Sequence, residues 1–272
     1  MASKRPIPFV LAATNHGSMI LNRNDHHMID ATRGYGVGFQ LLSNSCFDPE
    51  EISFATALLS LRRKHFGDGV VAIDGGANIG VHTIDWAKHM YGWGNVHAFE
   101  AQEKIYYALA GNIAINNCLN ASAHFAALGA ENGEISIPVP NYLVPASFGS
   151  LELKQNSKNE YIGQKIDYSD AAMQTVALKK IDGFNWPRVD FIKIDVEGME
   201  LDVLLGAEKT ISKLKPILMI EIIKTDKVQV EAFLNRHEYQ VFAMGINILA
   251  MHKSDPSISH ISVNASGLNL TI

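Results

Sequence analysis

Residues 70 to 80 read VVAIDGGANIG, and this stretch decides the fold class. An apolar run of strand length ends at Asp74, and a turn with three glycines leads from it into a predicted helix. Small residues at such a turn let a ligand lie against the backbone, and the amides at the helix start can donate to an anionic group. We therefore predict a strand, a turn and a helix that form one wall of a ligand site.

Short apolar runs alternate with helical stretches from Val70 onward, which is the pattern of βαβ units around a parallel sheet. The last two predicted strands are joined only by a turn at Gly245 and Ile246, which is too short for a parallel crossover, so they form an antiparallel hairpin. We predict an α/β, Rossmann-like fold with a mostly parallel seven-stranded sheet and a C-terminal antiparallel hairpin. The predicted strands are 70–74, 96–100, 123–128, 190–196, 217–223, 239–244 and 247–252. The predicted helices are 79–91, 103–117, 199–214 and 227–236. An earlier helix is predicted to run to about residue 65, with Asp48 as its cap and Pro49 in its first turn.

The chain shows no internal repeat and no linker of biased composition, so one main domain over residues 47–272 is the simplest organisation. Residues 1–46 form an N-terminal segment that we expect to pack on the core. Between about 130 and 184 the alternation weakens, and short strands are predicted at 134–139, 149–153 and 175–178. We interpret this region as a β-rich insertion beside the ligand site.

Composition narrows the class of protein. The 272 residues are 47% hydrophobic and 19% charged, as in ordinary globular proteins, and the net charge of −5 makes nucleic acid an unfavourable partner. The two cysteines, Cys46 and Cys118, form no disulfide framework or zinc motif, so we expect a reducing, cytoplasmic compartment. The apolar residues after Lys4-Arg5 are too few for a signal peptide, and we expect no transmembrane segment.

A second acid accompanies the glycine turn. Glu100 follows Asp74 by 26 positions and ends the next predicted strand, where a carboxylate can accept both ribose hydroxyls of a nucleotide. The glycine spacing is not GxGxxG, which disfavours a nicotinamide or flavin dinucleotide. The alternative interpretations are a plain tight turn and a solvated acid.

Residues 189 to 198, VDFIKIDVEG, place a polar row on another predicted strand. Alternation puts Lys193, Asp195 and Glu197 on one face, at the carboxyl end where open α/β sheets bind ligands. Glu221 ends the following strand and can join the same cleft. The alternative is that Asp195 or Glu197 caps the next helix with Lys193 as its ion-pair partner. Three oxygen ligands could hold Mg²⁺, but nothing in the spacing requires a metal, and we predict none.

Two other groups of residues are set aside. Asp25-His26-His27 lacks a third ligand at a recognisable spacing, so we interpret it as a solvated loop rather than a metal site. His82 is predicted to be a surface or capping residue, with a role as an alternative base less favoured.

These motifs resemble the FkbM-type methyltransferases over about residues 47 to 223. The resemblance is carried by Phe47-Asp48-Pro49-Glu50, the turn from Asp74 to Gly80, Ala98-Phe99-Glu100, Ala127-Leu128-Gly129, Ile181-Asp182 and, most specifically, Lys193-Ile194-Asp195-Val196-Glu197-Gly198. It implies a class I methyltransferase fold, S-adenosyl-L-methionine (SAM) as cofactor, and O-methylation of a hydroxyl on a sugar, glycan or natural product. Ala101 stands where the family usually has proline, and Gly75 where it usually has a larger residue.

The resemblance, together with the position of each residue, gives the predicted site. The turn looks like the DxGxNxG loop that holds SAM, and the predicted cofactor-binding residues are Asp74, Gly76, Asn78, Gly80, Thr83, Glu100 and Ala127. Methyl transfer to a hydroxyl needs a base, for which Asp195 is the first candidate and Glu197 the second, with Lys193 orienting them. The other functions considered are a SAM- or nucleotide-binding regulatory protein without turnover and a nicotinamide oxidoreductase. The acceptor is expected to be a small molecule or glycan, and the sequence predicts no oligomeric state.

Overall fold

A computed structural model describes residues 5–31, 33–264 and 267–271. In chain order the strands are β1 (Phe9–Thr14), β2 (Gly17–Asn22), β3 (His27–Met28), β4 (Gly34–Tyr35), β5 (Val70–Gly75), β6 (Gly94–Glu100), β7 (Ala121–Phe125), β8 (Ala127–Leu128), β9 (Gly133–Pro138), β10 (Met173–Lys179), β11 (Phe191–Ile194), β12 (Ile217–Glu221), β13 (Tyr239–Met244), β14 (Asn247–His252), β15 (Ile261–Asn264) and β16 (Gly267–Leu270). The helices are α1 (Val37–Asn44), α2 (Pro49–Phe66), α3 (Val81–His89), α4 (Glu103–Ile115), α5 (Glu200–Gly206), α6 (Glu208–Leu214) and α7 (Lys227–Arg236).

A seven-stranded sheet in the order β13-β14-β12-β11-β5-β6-β7 forms the centre of the molecule. The five strands from β12 to β7 are parallel, and β14 runs antiparallel to both β12 and β13. The topology confirms the predicted Rossmann-like sheet with its C-terminal hairpin, which is the class I methyltransferase fold. Its parallel strands place their carboxyl ends along one edge, where ligands bind in folds of this type.

Helices cover both faces of the sheet, which explains why the central strands are apolar on both sides. On one face Ala72 and Phe191 pack with side chains of α2 and α3, including Leu58 and Trp86. On the other face the core contains residues of β5 and β11 together with α5, α6 and α7, among them Ile73, Ile192, Val203, Ile211 and Phe233. Two hydrophobic cores therefore hold β5 and β11 rigidly beside one another.

The N-terminal segment contributes to the same core. Met19 and Leu21 of β2 are fully buried, and the Asn112 side chain of α4 binds both the amide and the carbonyl of Ile20. Helix α1 was not predicted, because the glycines at 34, 36 and 38 indicated turns. The domain boundary at residue 46 stays a prediction.

Several predicted elements differ from the structure. The strand expected at 123–128 is divided, because β7 ends at Phe125 and β8 pairs with β10 in a separate sheet of order β8-β10-β9. The helix expected at 199–214 breaks at Ala207, where φ is −111°. The strand expected at 149–153 is wrong, since residues 148–150 form a 3₁₀ turn. Pro49 begins α2 as predicted, but the side chain of Asp48 does not cap it.

Candidate active site

One cavity of about 470 Å³ lies at the carboxyl ends of β5, β6, β11 and β12. Its walls include Gly76, Glu100, Asp195 and Glu221, so the two predicted motifs face a shared space. Adjacent strands lie about 4.8 Å apart, which places the end of β6 roughly 14 Å from the end of β12. The cavity therefore extends across the ends of four neighbouring strands of the sheet.

The turn after β5 contacts the end of β11 directly. Gly76 has φ of 76°, and a Cβ atom at this position would overlap the carbonyl oxygen of Asp195. The amide of Asp195 donates to the Gly75 carbonyl at 3.1 Å. Only glycine satisfies both the left-handed backbone and this close approach, and the two motifs are therefore joined through their backbones.

The amides of residues 76 to 80, which form this turn, donate to protein groups and are not available to a ligand. Gly76 and Ala77 both donate to the Phe99 carbonyl, and Asn78 donates to Glu100 Oε2 at 3.0 Å. The amides of residues 79 and 80 likewise donate within the turn. The turn folds back on the end of β6, which takes up the amides of residues 76, 77 and 78. The role predicted for the amides at the start of α3 stays a prediction. A ligand must therefore be held by side chains and by amides elsewhere.

Glu100 is fixed at the end of β6 with its carboxylate on the cavity wall. Its Oε1 accepts from the Gln102 amide at 2.7 Å, and its Oε2 accepts from the Asn78 amide. Burial raises the pKa of Glu100 to about 7, against the lowering effect of these hydrogen bonds. A carboxylate can accept about four hydrogen bonds, so Glu100 can still accept from a hydroxyl. The position fits the predicted contact with a ribose, and Ala127 lies on the same wall.

The other predicted cofactor residues divide into two layers. Gly76 and Asn78 line the cavity, whereas Asp74, Gly80 and Thr83 lie behind the wall. Asp74 is fully buried, and Thr83 Oγ1 donates to its Oδ2 at 2.6 Å. Asp74 Oδ1 has no hydrogen-bond partner among the described residues. These three residues therefore support the turn from behind and do not line the space in which a ligand would lie.

Lys193 points into the cavity from β11 and is almost fully buried. Its Nζ lies 2.7 Å from Asp195 Oδ2. Burial would lower the pKa of this amine, but the carboxylates of Asp195, Asp74 and Glu51 raise it well above its ordinary value. Lys193 is therefore a permanent cation at the centre of the site.

Lys193, Asp195 and Glu197 were predicted to lie on one face of a single strand. This prediction is wrong beyond Ile194, because β11 ends there. Glu197 has a left-handed backbone with φ of 54°, so it reaches the cavity from a turn. The Glu200 side chain accepts from the amides of Val196 and Gly198, at 3.2 and 3.0 Å, and so holds this turn. The residue that binds the turn amides is thus Glu200, a residue that the sequence analysis did not single out.

Three carboxyl groups meet beside Lys193. One oxygen from each of Asp195, Glu197 and Glu221 lies within 4.8 Å of the others, which confirms that Glu221 joins the cleft. Burial, the largest single effect, raises the pKa of Asp195, but the charge and hydrogen bond of Lys193 and the neighbouring Glu221 together leave it below its usual value. Burial and the neighbouring carboxylates raise the pKa of Glu197 to about 8 and that of Glu221 to about 9.

Lysines already balance two of these acids. Lys193 pairs with Asp195, and Lys224 Nζ lies 2.7 Å from Glu197 Oε2 and 2.8 Å from Glu160 Oε2. Three carboxylates can coordinate a divalent cation, but the two ammonium groups supply the positive charge that a metal would bring. We therefore assign the cluster as an ion-pair network, and the absence of a metal stays a prediction.

Glu51 and Asn247 complete the wall beside this network, and neither was predicted. His82 Nε2 lies 3.0 Å from Glu51 Oε1, and Asn247 donates to Glu51 Oε2 at 2.6 Å. The predicted surface position of His82 is wrong, because it is 6% exposed and lines the cavity. Glu51 near a helix start looks like a partner of the helix dipole, so no sequence signal marked it.

The N-terminal segment and the insertion close the outer side of the cavity. Tyr35 donates to Glu160 Oε1 at 2.8 Å across this side, and both residues line the space. Asp25 joins the same two segments, since its carboxylate accepts from the amides of Gly38 and Phe148, both at 2.9 Å. The predicted solvated loop at Asp25 is therefore wrong, because the residue is only 3% exposed.

A family model described as the Methyltransferase FkbM domain matches residues 74–241, which is more than half of the chain. The chain belongs to the FkbM methyltransferase family. The match runs from the glycine turn through the KIDVEG motif to β13, so it contains both motifs that face the cavity. S-adenosyl-L-methionine, the cofactor predicted from the sequence, is the methyl donor of this family.

Two curated relatives carry methyltransferase names. "Methyltransferase 1" of Beauveria bassiana is 28% identical over 153 residues, which cover 53% of this chain and 60% of that protein. "Methyltransferase sdnD" of Sordaria araneosa is 26% identical over 190 residues, which cover 62% of this chain and 73% of that protein. The match thus spans less than two thirds of the Beauveria protein.

Among solved structures, the crystal structure of Methyltransferase FkbM from Methylobacillus flagellatus is 18% identical to this chain. It covers 68% of this chain and 43% of its own, with a TM-score of 0.47.

The charge of the cavity fits the FkbM cofactor. Seven acidic side chains line it against two lysines, and a sulfonium cation is the ligand charge that offsets such an excess. The acidic residues are Asp48, Glu51, Glu100, Glu160, Asp195, Glu197 and Glu221, and the lysines are Lys193 and Lys224.

None of the helices within the described ranges has both the length and the apolar character needed to cross a bilayer.

Proposed function

We propose that the protein is a SAM-dependent O-methyltransferase that acts on a hydroxyl of a sugar, glycan or small natural product. One observation carries this proposal. The carboxylate of Glu100, placed where a ribose can bind, lines the same cavity as the cluster of Asp195, Glu197 and Glu221. A hydroxyl is a weak nucleophile until its proton is removed. Carboxylates beside the space for the methyl donor supply the base that O-methylation requires.

The proposed roles follow the two sides of the cavity. Glu100 binds the ribose, Gly76, Asn78 and Ala127 form the donor wall, and Asp74, Gly80 and Thr83 support the turn from behind. Asp195 and Glu197 are the proposed bases, and Lys193 orients Asp195. SAM supplies a methyl group on a good leaving group. Holding the hydroxyl in line with it can contribute about 7 to 11 kcal/mol, and a positioned base adds about 10² to 10⁴ in rate.

The outer side of the cavity suits an acceptor with several hydroxyls. Tyr35, Glu160 and Lys224 lie there, and such groups form directional hydrogen bonds with polyols. The excess of acids would repel phosphates, which supports a neutral acceptor and argues against nucleic acid. Cys46 and Cys118 are free thiols, which supports the proposed cytoplasmic location.

Calorimetry with SAM and with its product S-adenosylhomocysteine (SAH) tests the cofactor. We expect both to bind the wild type, Glu100→Ala to weaken binding at least tenfold, and the exposed Glu131→Ala to leave it unchanged. Absence of binding to the wild type would refute the proposal. Mass spectrometry of extracts incubated with methyl-labelled SAM then identifies the acceptor. Binding without transfer to any acceptor of a broad panel would favour a regulatory protein.

A further inference from the structure

Glu221 differs from the two other carboxyl groups of the cluster. Asp195 has Lys193 and Glu197 has Lys224 as ion-pair partners at 2.7 Å. Over the described parts of the chain, Glu221 forms no ion pair with a basic side chain. It is therefore the acid of the cluster for which the described residues provide no ion-pair partner when it ionises.

The register of the sheet places Glu221 beside Asp195. Ile220 of β12 pairs with Ile194 of β11, so the two acids are the next residues along neighbouring strand ends. One oxygen of each carboxyl group lies within 4.8 Å of one of the other. Two carboxylates this close repel each other when both are ionised, so the pair holds one proton near neutral pH. Because Lys193 stabilises ionised Asp195, the proton resides on Glu221 at neutral pH.

Charged and polar side chains surround this pair. Those on the cavity wall around it are Lys193 from β11, Glu197 and Lys224 from the turns, Asn247 from β14, Glu51 from α2 and His82 from α3, and the buried Asp74 of β5 acts on Lys193 from behind the wall. An opposite charge within about 4 to 6 Å lowers a carboxyl pKa by about 1 to 3. A cation that enters the cavity therefore competes with the shared proton.

We propose that the Asp195–Glu221 pair releases its shared proton when positively charged SAM binds. The pair then accepts the proton of the acceptor hydroxyl during methyl transfer, which makes Glu221 a catalytic residue. This inference rests on the proposed function and deepens it. It adds Glu221 to the proposed bases and assigns to Glu221 the binding of the transferred proton.

The step balances in atoms and charge. The hydroxyl oxygen forms a bond to the methyl carbon, the carbon–sulfur bond breaks, and its electron pair stays on sulfur. The hydroxyl proton goes to Glu221. A cation beside an ionised carboxylate is thus replaced by a neutral thioether beside a protonated carboxyl. The net charge of the site therefore stays the same during methyl transfer, which avoids the cost of an additional unpaired charge in a partly buried site.

Calorimetry at pH 8 in phosphate and in Tris, two buffers with different ionisation enthalpies, measures the protons released on binding. If the pKa of Glu221 falls from about 9 by about 1 to 3, SAM binding releases between about 0.4 and 0.9 proton. We expect much smaller release with SAH, which lacks the sulfonium charge. The amino group of the ligand also titrates, so the quantity compared is the difference between the wild type and Glu221→Gln.

Variants separate this inference from the proposed function. We expect Glu221→Gln to bind SAM with the proton release lost, and Glu131→Gln to behave as the wild type. Asp195→Asn removes a neighbouring negative charge, so Glu221 is already more ionised at pH 8 and the release shrinks. Equal release from the wild type, Glu221→Gln and Asp195→Asn would overturn the inference while leaving the methyltransferase proposal intact. Failure of the wild type to bind either ligand would refute the proposed function itself.

Discussion

Gly76 lies where the turn after β5 meets the end of β11, and the contact is between backbones. The site depends on this contact because it sets the separation of the Glu100 side of the cavity from the Asp195 side. A side chain here meets two obstacles at once, namely a left-handed φ of 76° and the Asp195 carbonyl oxygen. The cost of each is of the order of 1 to 3 kcal/mol.

We therefore predict that Gly76→Ala lowers the free energy of unfolding by about 2 to 6 kcal/mol. It should also weaken SAM binding at least tenfold, because the two motifs must move apart. Gly133→Ala is the matched control, since a Cβ there meets nothing within 4 Å. Urea unfolding and calorimetry measure the two effects. Unchanged affinity in a folded Gly76→Ala variant would show that the backbone contact does not position the site.

At the scale of elements, the outer wall of the cavity consists of two segments that are far apart in the chain. The carboxylate of Asp25, between β2 and β3, joins the start of α1 to the 3₁₀ turn at residues 148–150. Burial raises the pKa of Asp25 to about 6, so at neutral pH the carboxylate is ionised and accepts from both amides. This residue thus ties the N-terminal segment to the insertion.

We predict that Asp25→Asn lowers the free energy of unfolding by about 1 to 3 kcal/mol, because an amide side chain cannot accept from both buried amides in the same way. Hydrogen exchange should become faster in α1 and around Phe148, with β5 and β11 unchanged. The exposed Asp170→Asn, within the insertion, is the control. Uniformly faster exchange across the sheet would contradict a local role for Asp25.

The whole molecule should respond to pH through the acids of its cavity. The pKa values of Glu197 and Glu221 are raised to about 8 and 9, whereas the same groups in the unfolded chain ionise near 4.5. Between pH 7 and 9 the native state therefore holds protons that the unfolded state has already lost. Linkage then requires stability to fall as pH rises through this range.

We predict that the ligand-free protein loses about 1 to 3 kcal/mol of stability between pH 7 and pH 9, seen as a melting temperature lower by several degrees. Glu221→Gln should reduce this dependence, because its side chain does not titrate. Differential scanning calorimetry at several pH values measures the slope. A melting temperature that is constant or rises from pH 7 to pH 9 would contradict the raised pKa values.

The sequence by itself determined the sheet and the two motifs that line the cavity. Alternation of apolar runs with helical stretches is a local property, and so is the glycine spacing after Asp74. The end of a parallel strand is also a predictable place for a ligand. For these reasons Gly76, Asn78, Glu100, Lys193, Asp195 and Glu221 could be assigned to one edge before any contact was known.

Only the tertiary structure decided the chemistry of that edge. It showed that the turn amides are already bonded, that Lys224 and not a neighbour in sequence balances Glu197, and that Glu51 faces His82. Which acid of the cluster forms an ion pair depends on which distant lysine reaches it. The physical reason is that charges and hydrogen bonds in a buried site are set by distances through space. Local propensity and spacing along the chain contain no information about such distances.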